Sequence, residues 1–213
     1  MTAVRGRRQA YARFVGSLWV AVSVFYALFA LTVAFEAIAA FAGLSDRDPG
    51  RAAPPLFIVH AVTGSIALTA IALQFRLTAP PGPSRRRLHR RLGTTYVITA
   101  ITTSILSIGV IAGFRVDGRT KVLFLSEALL WLVTTVAAYR HIRRGRITKH
   151  RRWMIRSSAL AVFFVSFSVW DPVMAATPLP APTGYALAVL LAWSVNLLAA
   201  EIWIRARPAK HAR

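Results

Sequence analysis

The sequence contains no cysteine, and it has only seven acidic residues against 27 lysines and arginines. The first absence excludes disulfides, thiolate metal sites and cysteine nucleophiles. The second leaves a formal charge of +20. A nucleic-acid binder of that charge carries its basic residues along one face. Here they stand in short clusters between long apolar runs, the layout of membrane topology signals, so nucleic acid is not an expected partner. Also missing are a Gly-rich phosphate loop, a G-x-S-x-G elbow and the H-E-x-x-H or H-x-x-E-H spacings of zinc enzymes. Nucleotide, hydrolase and zinc-peptidase chemistry of the soluble kind is therefore not expected, and no metal site is read from spacing.

What is abundant is apolar sequence. Hydrophobic residues make up 56% of the 213 residues and the mean hydropathy is +0.53, above what soluble domains of this length carry. Six apolar stretches are each long enough to cross a ~30 Å hydrocarbon core. They run over 14–41, 55–75, 93–114, 122–138, 153–177 and 183–204. The expectation is an all-α bundle of about six transmembrane helices, forming one domain over 1–213 with basic tails at 1–13 and 205–213. The first stretch has a basic start and a small-residue pattern at Ala37-Ile38-Ala39. It is about twice as long as a signal-peptide core, so it reads as an uncleaved helix.

Orientation follows from the charges. The N-terminal tail, the connections 76–91 and 140–156 and the C-terminal tail carry 22 Lys and Arg; the other side carries Arg47, Arg51, Arg115, Arg119 and Lys121. The richer side is cytoplasmic by the positive-inside rule, with both termini inside and the bacterial cytoplasmic membrane as the expected location.

One internal repeat stands out. His89-Arg90-Arg91-Leu92 opens the third stretch and His150-Arg151-Arg152-Trp153 opens the fifth, 61 residues later. Stretches two and three thus resemble one helical hairpin, and four and five a second copy pointing the same way. The two histidines would then lie at one depth near the inner surface.

Ionisable groups inside a membrane are costly and mark function by default. They fall into two sets. Glu36, His60, Glu127 and Asp171 occupy the outer half, one on each of four helices. Facing the bundle, they would shuttle protons, hold a cation or act as acid and base. Gln74, His89, Arg90, His150, Arg156, Asn196 and Glu201 lie toward the inner end. Glu201 reads most simply as an arginine partner. Gly64 lies on the helix face of His60 and Gln74, open to a neighbouring helix or a flat ligand. His89, Gly93 and Tyr96 share a face of the third helix. Serines and threonines of that helix, Thr94 to Ser107, read as interhelical glue.

Three readings follow. Two imidazoles at one depth can ligate a b-type haem from both sides, with Arg90 and Arg151 on its propionates and Gly93 making room for the ring. Such a redox protein would exchange electrons with a partner such as a quinone. In the second reading Glu127 and Asp171, with His60, are the acid and base of an intramembrane enzyme of cyclase or isomerase type. Its substrate is a lipid or isoprenoid, held among Trp170, Phe163 and Phe164. The third is a small transporter or an accessory protein without chemistry.

Several of these residues form a recognisable set. His60-x3-Gly64, Gln74-Phe75, Leu88-His89-Arg90-x-Leu92-Gly93 with Tyr96, His150-Arg151-Arg152-Trp153-Met154 with Arg156, and Trp193-x2-Asn196-x4-Glu201 resemble the pattern of a family of bacterial polytopic membrane proteins of unknown function. The resemblance implies a multi-helix membrane fold and no settled activity. Far more distantly, the helix-opening histidines look like those of b-type transmembrane cytochromes. Trp170-Asp171-Pro172 departs from the pattern, which implies a basic residue late in the fifth stretch.

Overall fold

The structure, a computed structural model, describes residues 54–77 and 82–206 together with residues 28 and 35. Apart from residues 28 and 35, the expected first span lies outside the described residues, and Glu36 with it. Among the described residues six helices follow one another: α1 Pro54–Leu77, α2 Pro83–Gly113, α3 Gly118–Arg143, α4 Ile147–Ala161, α5 Phe163–Ala175 and α6 Ala181–Ala206. Helices α1, α2, α3 and α6 are long and apolar enough to cross a bilayer, and α4 with α5 makes a fifth span if the bent pair is counted as one.

Local chemistry sets the ends. Proline opens α2, where its fixed φ suits the first turn and its missing N–H costs nothing. Asp117 caps α3, its carboxylate accepting from the Thr120 N–H at 3.0 Å and the Thr120 hydroxyl at 2.8 Å. The α3–α4 turn passes through Gly145 at φ 69°, a left-handed conformation that suits glycine.

Three boundaries differ from the sequence expectation. Helix α2 begins at Pro83, ten residues before 93, because the arginines of 85–91 are good helix formers behind a proline start. At 31 residues it is roughly 46 Å long, so its basic first turns project beyond a ~30 Å hydrocarbon core. His89 therefore sits within the helix rather than at its opening. Helix α3 runs from Gly118 to Arg143, outside the expected 122–138 at both ends, since the Asp117 cap starts it early. The single span expected over 153–177 is two helices bent by 42° around Val162. No proline or glycine stands at that bend; Pro172 lies later, inside α5.

Packing follows the hairpins: α1 lies chiefly on α2, α3 on α4 and α5 on α6, with α2 against α3 and α4 against α6. The first two pairs are the repeated hairpins expected from the His-Arg-Arg segments. Two buried apolar clusters result. One gathers Ala67, Leu68, Ile71, Tyr96, Trp131 and Leu160; the other gathers Ile111, Phe124, Phe163, Val189 and Ala192. Large apolar side chains such as Ile98, Ile105, Leu129, Val133 and Leu198 are exposed on the outside, where lipid would solvate them.

Candidate functional site

Where the two clusters meet, α1 to α5 leave a cavity of about 120 Å³. Leu68, Trp131 and Leu160 wall it on one side, and Ile111, Phe124 and Phe163 on the other. The break at Val162 lies in this wall, since Leu160 and Ala161 line it from α4 and Phe163 and Phe164 from α5. The rings pack edge to face: Phe114 on Phe124 at 5.7 Å, Phe124 on Phe163 at 5.8 Å and Phe163 on Phe164 at 5.0 Å between centroids.

Two ionisable residues of the outer set line this cavity, His60 from α1 and Glu127 from α3. Glu127 is only 8% exposed, and among the described residues no donor or cation reaches its carboxyl. A charged carboxylate in such a place costs several kcal/mol unless a proton or a cation neutralises it. His60 is held on one side. Its Nδ1 lies 3.3 Å from the Thr103 carbonyl oxygen and 3.4 Å from Ser107 Oγ. A carbonyl only accepts, so Nδ1 carries the proton and Nε2 keeps a lone pair. The Phe57 ring stacks on the imidazole at 6.4 Å. Thr103 in turn donates to Thr63 Oγ1 at 2.7 Å, and a Cβ on Gly64 would stand 3.4 Å from the Thr103 methyl. At that distance a methyl would also fit, so the approach of α2 does not depend on Gly64, whereas Thr103 and Ser107 serve as interhelical glue, as expected.

Beneath the cavity lies a buried polar chain absent from the sequence reading apart from Tyr96. Trp131 Nε1 donates to Tyr96 Oη at 3.1 Å; Tyr96 Oη lies 2.5 Å from Ser157 Oγ, which lies 2.7 Å from Thr135 Oγ1. Two signals pointed to it. Tyr96 and Ser157 are 61 residues apart, the offset of the repeated His-Arg-Arg segments, so equivalent positions of the two hairpins meet. Glu127, Trp131 and Thr135 follow at i, i+4 and i+8 on one face of α3.

The remaining residues lie elsewhere. Asp171 and Trp170 are half-exposed on α5 and do not line the cavity, so Glu127 is brought together with His60 and not with Asp171. Trp170 packs against the second apolar cluster. At the basic end, His89, Arg90 and Arg151 are exposed and His150 is half-buried. The His150 imidazole stands near enough to disfavour a second charge on His89. His150 Nδ1 donates to the Ala138 carbonyl at 2.9 Å. The room beside Gly93 is filled by the Gln74 amide, which donates to the His89 carbonyl at 3.0 Å. Arg156 forks onto Glu201 through Nε and Nη2 and lies 4.8 Å above the Trp153 ring. Asn196 Oδ1 accepts from Ser166 at 2.9 Å, tying α5 to α6. Among the described residues no three His, Asp or Glu gather into a group that could hold a metal ion.

Fold and site define a polytopic helical membrane protein with a partly open, aromatic-walled cavity that holds a carboxyl and an imidazole. The chain belongs to the family described as predicted membrane protein DUF2306, whose pattern it matches over residues 57–204. That match covers His60, Glu127 and both hairpins. Neither a curated protein nor a solved structure matches the chain.

Proposed function

We propose that this protein is an intramembrane acid–base enzyme that isomerises or cyclises an unsaturated lipid or isoprenoid in the cavity between α1 and α5. The observation that carries the reading is Glu127: a buried carboxyl without a partner among the described residues, in an aromatic-walled cavity that also holds the free Nε2 of His60. Membranes keep such a group only where it has work to do. Glu127 gives its proton to one carbon of an alkene, and the π pair becomes the new C–H bond. His60 Nε2 takes a proton from a neighbouring carbon, whose C–H pair becomes the new double bond. Passing that proton back to Glu127 resets the site, and the substrate leaves as an isomer. The basic end, with its exposed arginines, lies in the cytoplasm of a bacterial cell on this reading.

The test is deuterium uptake at carbon. Purified protein in liposomes in D2O is incubated with farnesol, geranylgeraniol or squalene, and the lipids are analysed by mass spectrometry. Carbon-bound deuterium that disappears in Glu127→Gln and His60→Ala, with thermal unfolding unchanged, supports the enzyme. Uptake from none of the three contradicts it, and a transporter would show ligand-dependent stabilisation without uptake.

A second reading keeps one observation of its own. The His150 Nδ1–H is pinned by a backbone carbonyl, which would leave Nε2 free to hold an iron, and His89 stands close by. A haem b between them is tested by the oxidised and dithionite-reduced absorption spectrum. A Soret band lost in His150→Ala favours it, and a colourless protein from a haem-replete host sinks it.

A further inference from the structure

We propose that the cavity selects for positive charge: its tightest ligands carry an ammonium or a carbon bearing developing cationic charge, and anionic lipids are excluded. The inference rests on the acid–base reading of the same site and names the kind of substrate and intermediate it takes.

The argument is one of charge balance in a place that water does not screen. Among the described residues, the only ionisable side chains lining the cavity are Glu127 and His60, and no lysine or arginine lines it. A fatty acid or phosphate headgroup there would meet the Glu127 carboxyl and find no lysine or arginine among the described residues to balance it, which leaves a poorly compensated buried charge. A cation meets the opposite. The Glu127 carboxylate faces it without a competing partner among the described residues, and the imidazole offers a lone pair at Nε2 because Nδ1 is committed to the Thr103 carbonyl. The wall is built of Phe57, Phe114, Phe124, Trp131, Phe163 and Phe164. Aromatic faces carry the negative lobe of a quadrupole and attract cations more strongly once these lose their water. Near 120 Å³ the space suits a group about the size of a single isoprene unit or a trimethylammonium head, with a longer tail leaving toward lipid. For an alkene protonated by Glu127, the positive carbon forms where these groups converge, and a protonated amine at that position mimics it.

The experiment compares three shape-matched probes on purified protein by calorimetry and thermal shift: N,N-dimethylprenylamine, its neutral carbon isostere and a prenyl carboxylate. The ammonium is expected to bind at least about tenfold more tightly than the neutral isostere, with no binding of the carboxylate. The preference falls away in Glu127→Gln and shrinks in Phe164→Leu, a partly exposed wall residue whose loss spares the core. Equal binding of ammonium and neutral probes overturns the inference, as does tighter binding of the carboxylate or no binding of any probe. Ammonium selectivity in a protein that incorporates no deuterium into isoprenoids leaves the charge selectivity standing and removes the enzyme reading instead.

Discussion

Removing one oxygen atom tests whether the two hairpins are locked together by the chain beneath the cavity. Tyr96 is fully buried, so Tyr96→Phe keeps the ring and its packing and deletes only the hydroxyl. Trp131 Nε1 can only donate, so Tyr96 Oη must accept from it and passes its own proton to Ser157 Oγ. Without Oη, the buried indole N–H loses its acceptor while Ser157 keeps Thr135. Stranding one buried donor costs about 1–3 kcal/mol, whereas interhelical hydrogen bonds in membranes average only ~0.6 kcal/mol. We therefore expect Tyr96→Phe to cost about 1–2 kcal/mol. Ser157→Ala strands the Tyr96 proton and should cost a similar amount. The double variant should fall short of the sum by roughly 1 kcal/mol, because each change already removes what the other breaks. The assay is reversible unfolding in mixed detergent and dodecyl sulfate micelles, followed by circular dichroism. Thr99→Val is the control, since that hydroxyl bonds only carbonyls of its own helix. Additive losses within ~0.3 kcal/mol, or a Tyr96→Phe as mild as the control, would refute the chain as a lock between hairpins.

The other expectations are quicker to state. In Gly93→Ala the new Cβ would stand 2.7 Å from Gln74 Nε2, forcing the amide off the His89 carbonyl at a cost of about 1 kcal/mol; thermal shift reads it, and a Gln74→Ala background should remove it. Arg156→Lys should destabilise nearly as much as Arg156→Gln, since a lysine cannot fork onto Glu201, and unfolding midpoints of the two variants compare them directly. Hydrogen bonds from the Thr120 side chain and backbone hold the Asp117 carboxyl below its ordinary range. Its cap on α3 is therefore fully present above about pH 4 and lost as pH falls through the lowered value. Amide exchange at 118–121 should rise there relative to Asp117→Asn, which caps without titrating. Glu127→Gln should leave the unfolding midpoint unchanged or raised, because among the described residues the acid has no partner to lose.

How much of this was legible in advance depends on the length scale. Apolar runs and charge clusters mark α1 and α6 to within a few residues at each end. The 61-residue offset also foretold the paired hairpins. The start of α2 was not legible, because an arginine run between apolar stretches reads as a loop although arginine is a good helix former. Nor was the bend at Val162, which no proline or glycine announces. The site was half legible. His60 and Glu127 stood out because charge in a membrane is costly, but depth alone grouped Asp171 with them. Which way each helix turns its face is a matter of packing, and it left Asp171 outside the cavity. Trp131, Thr135 and Ser157 passed unremarked because a tryptophan or a small hydroxyl residue in a span is ordinary until its partner is known.

The most direct test of the central claim is photocrosslinking with a diazirine-bearing farnesyl probe in liposomes, followed by mapping of the modified residues. The cavity site predicts adducts on its lining residues, among them Phe57, Gly64, Phe124, Trp131 and Phe163, suppressed by unlabelled geranylgeraniol. Adducts confined to the lipid-facing surface, at residues such as Ile98, Ile105, Leu129 and Val133, and indifferent to competitor would contradict it.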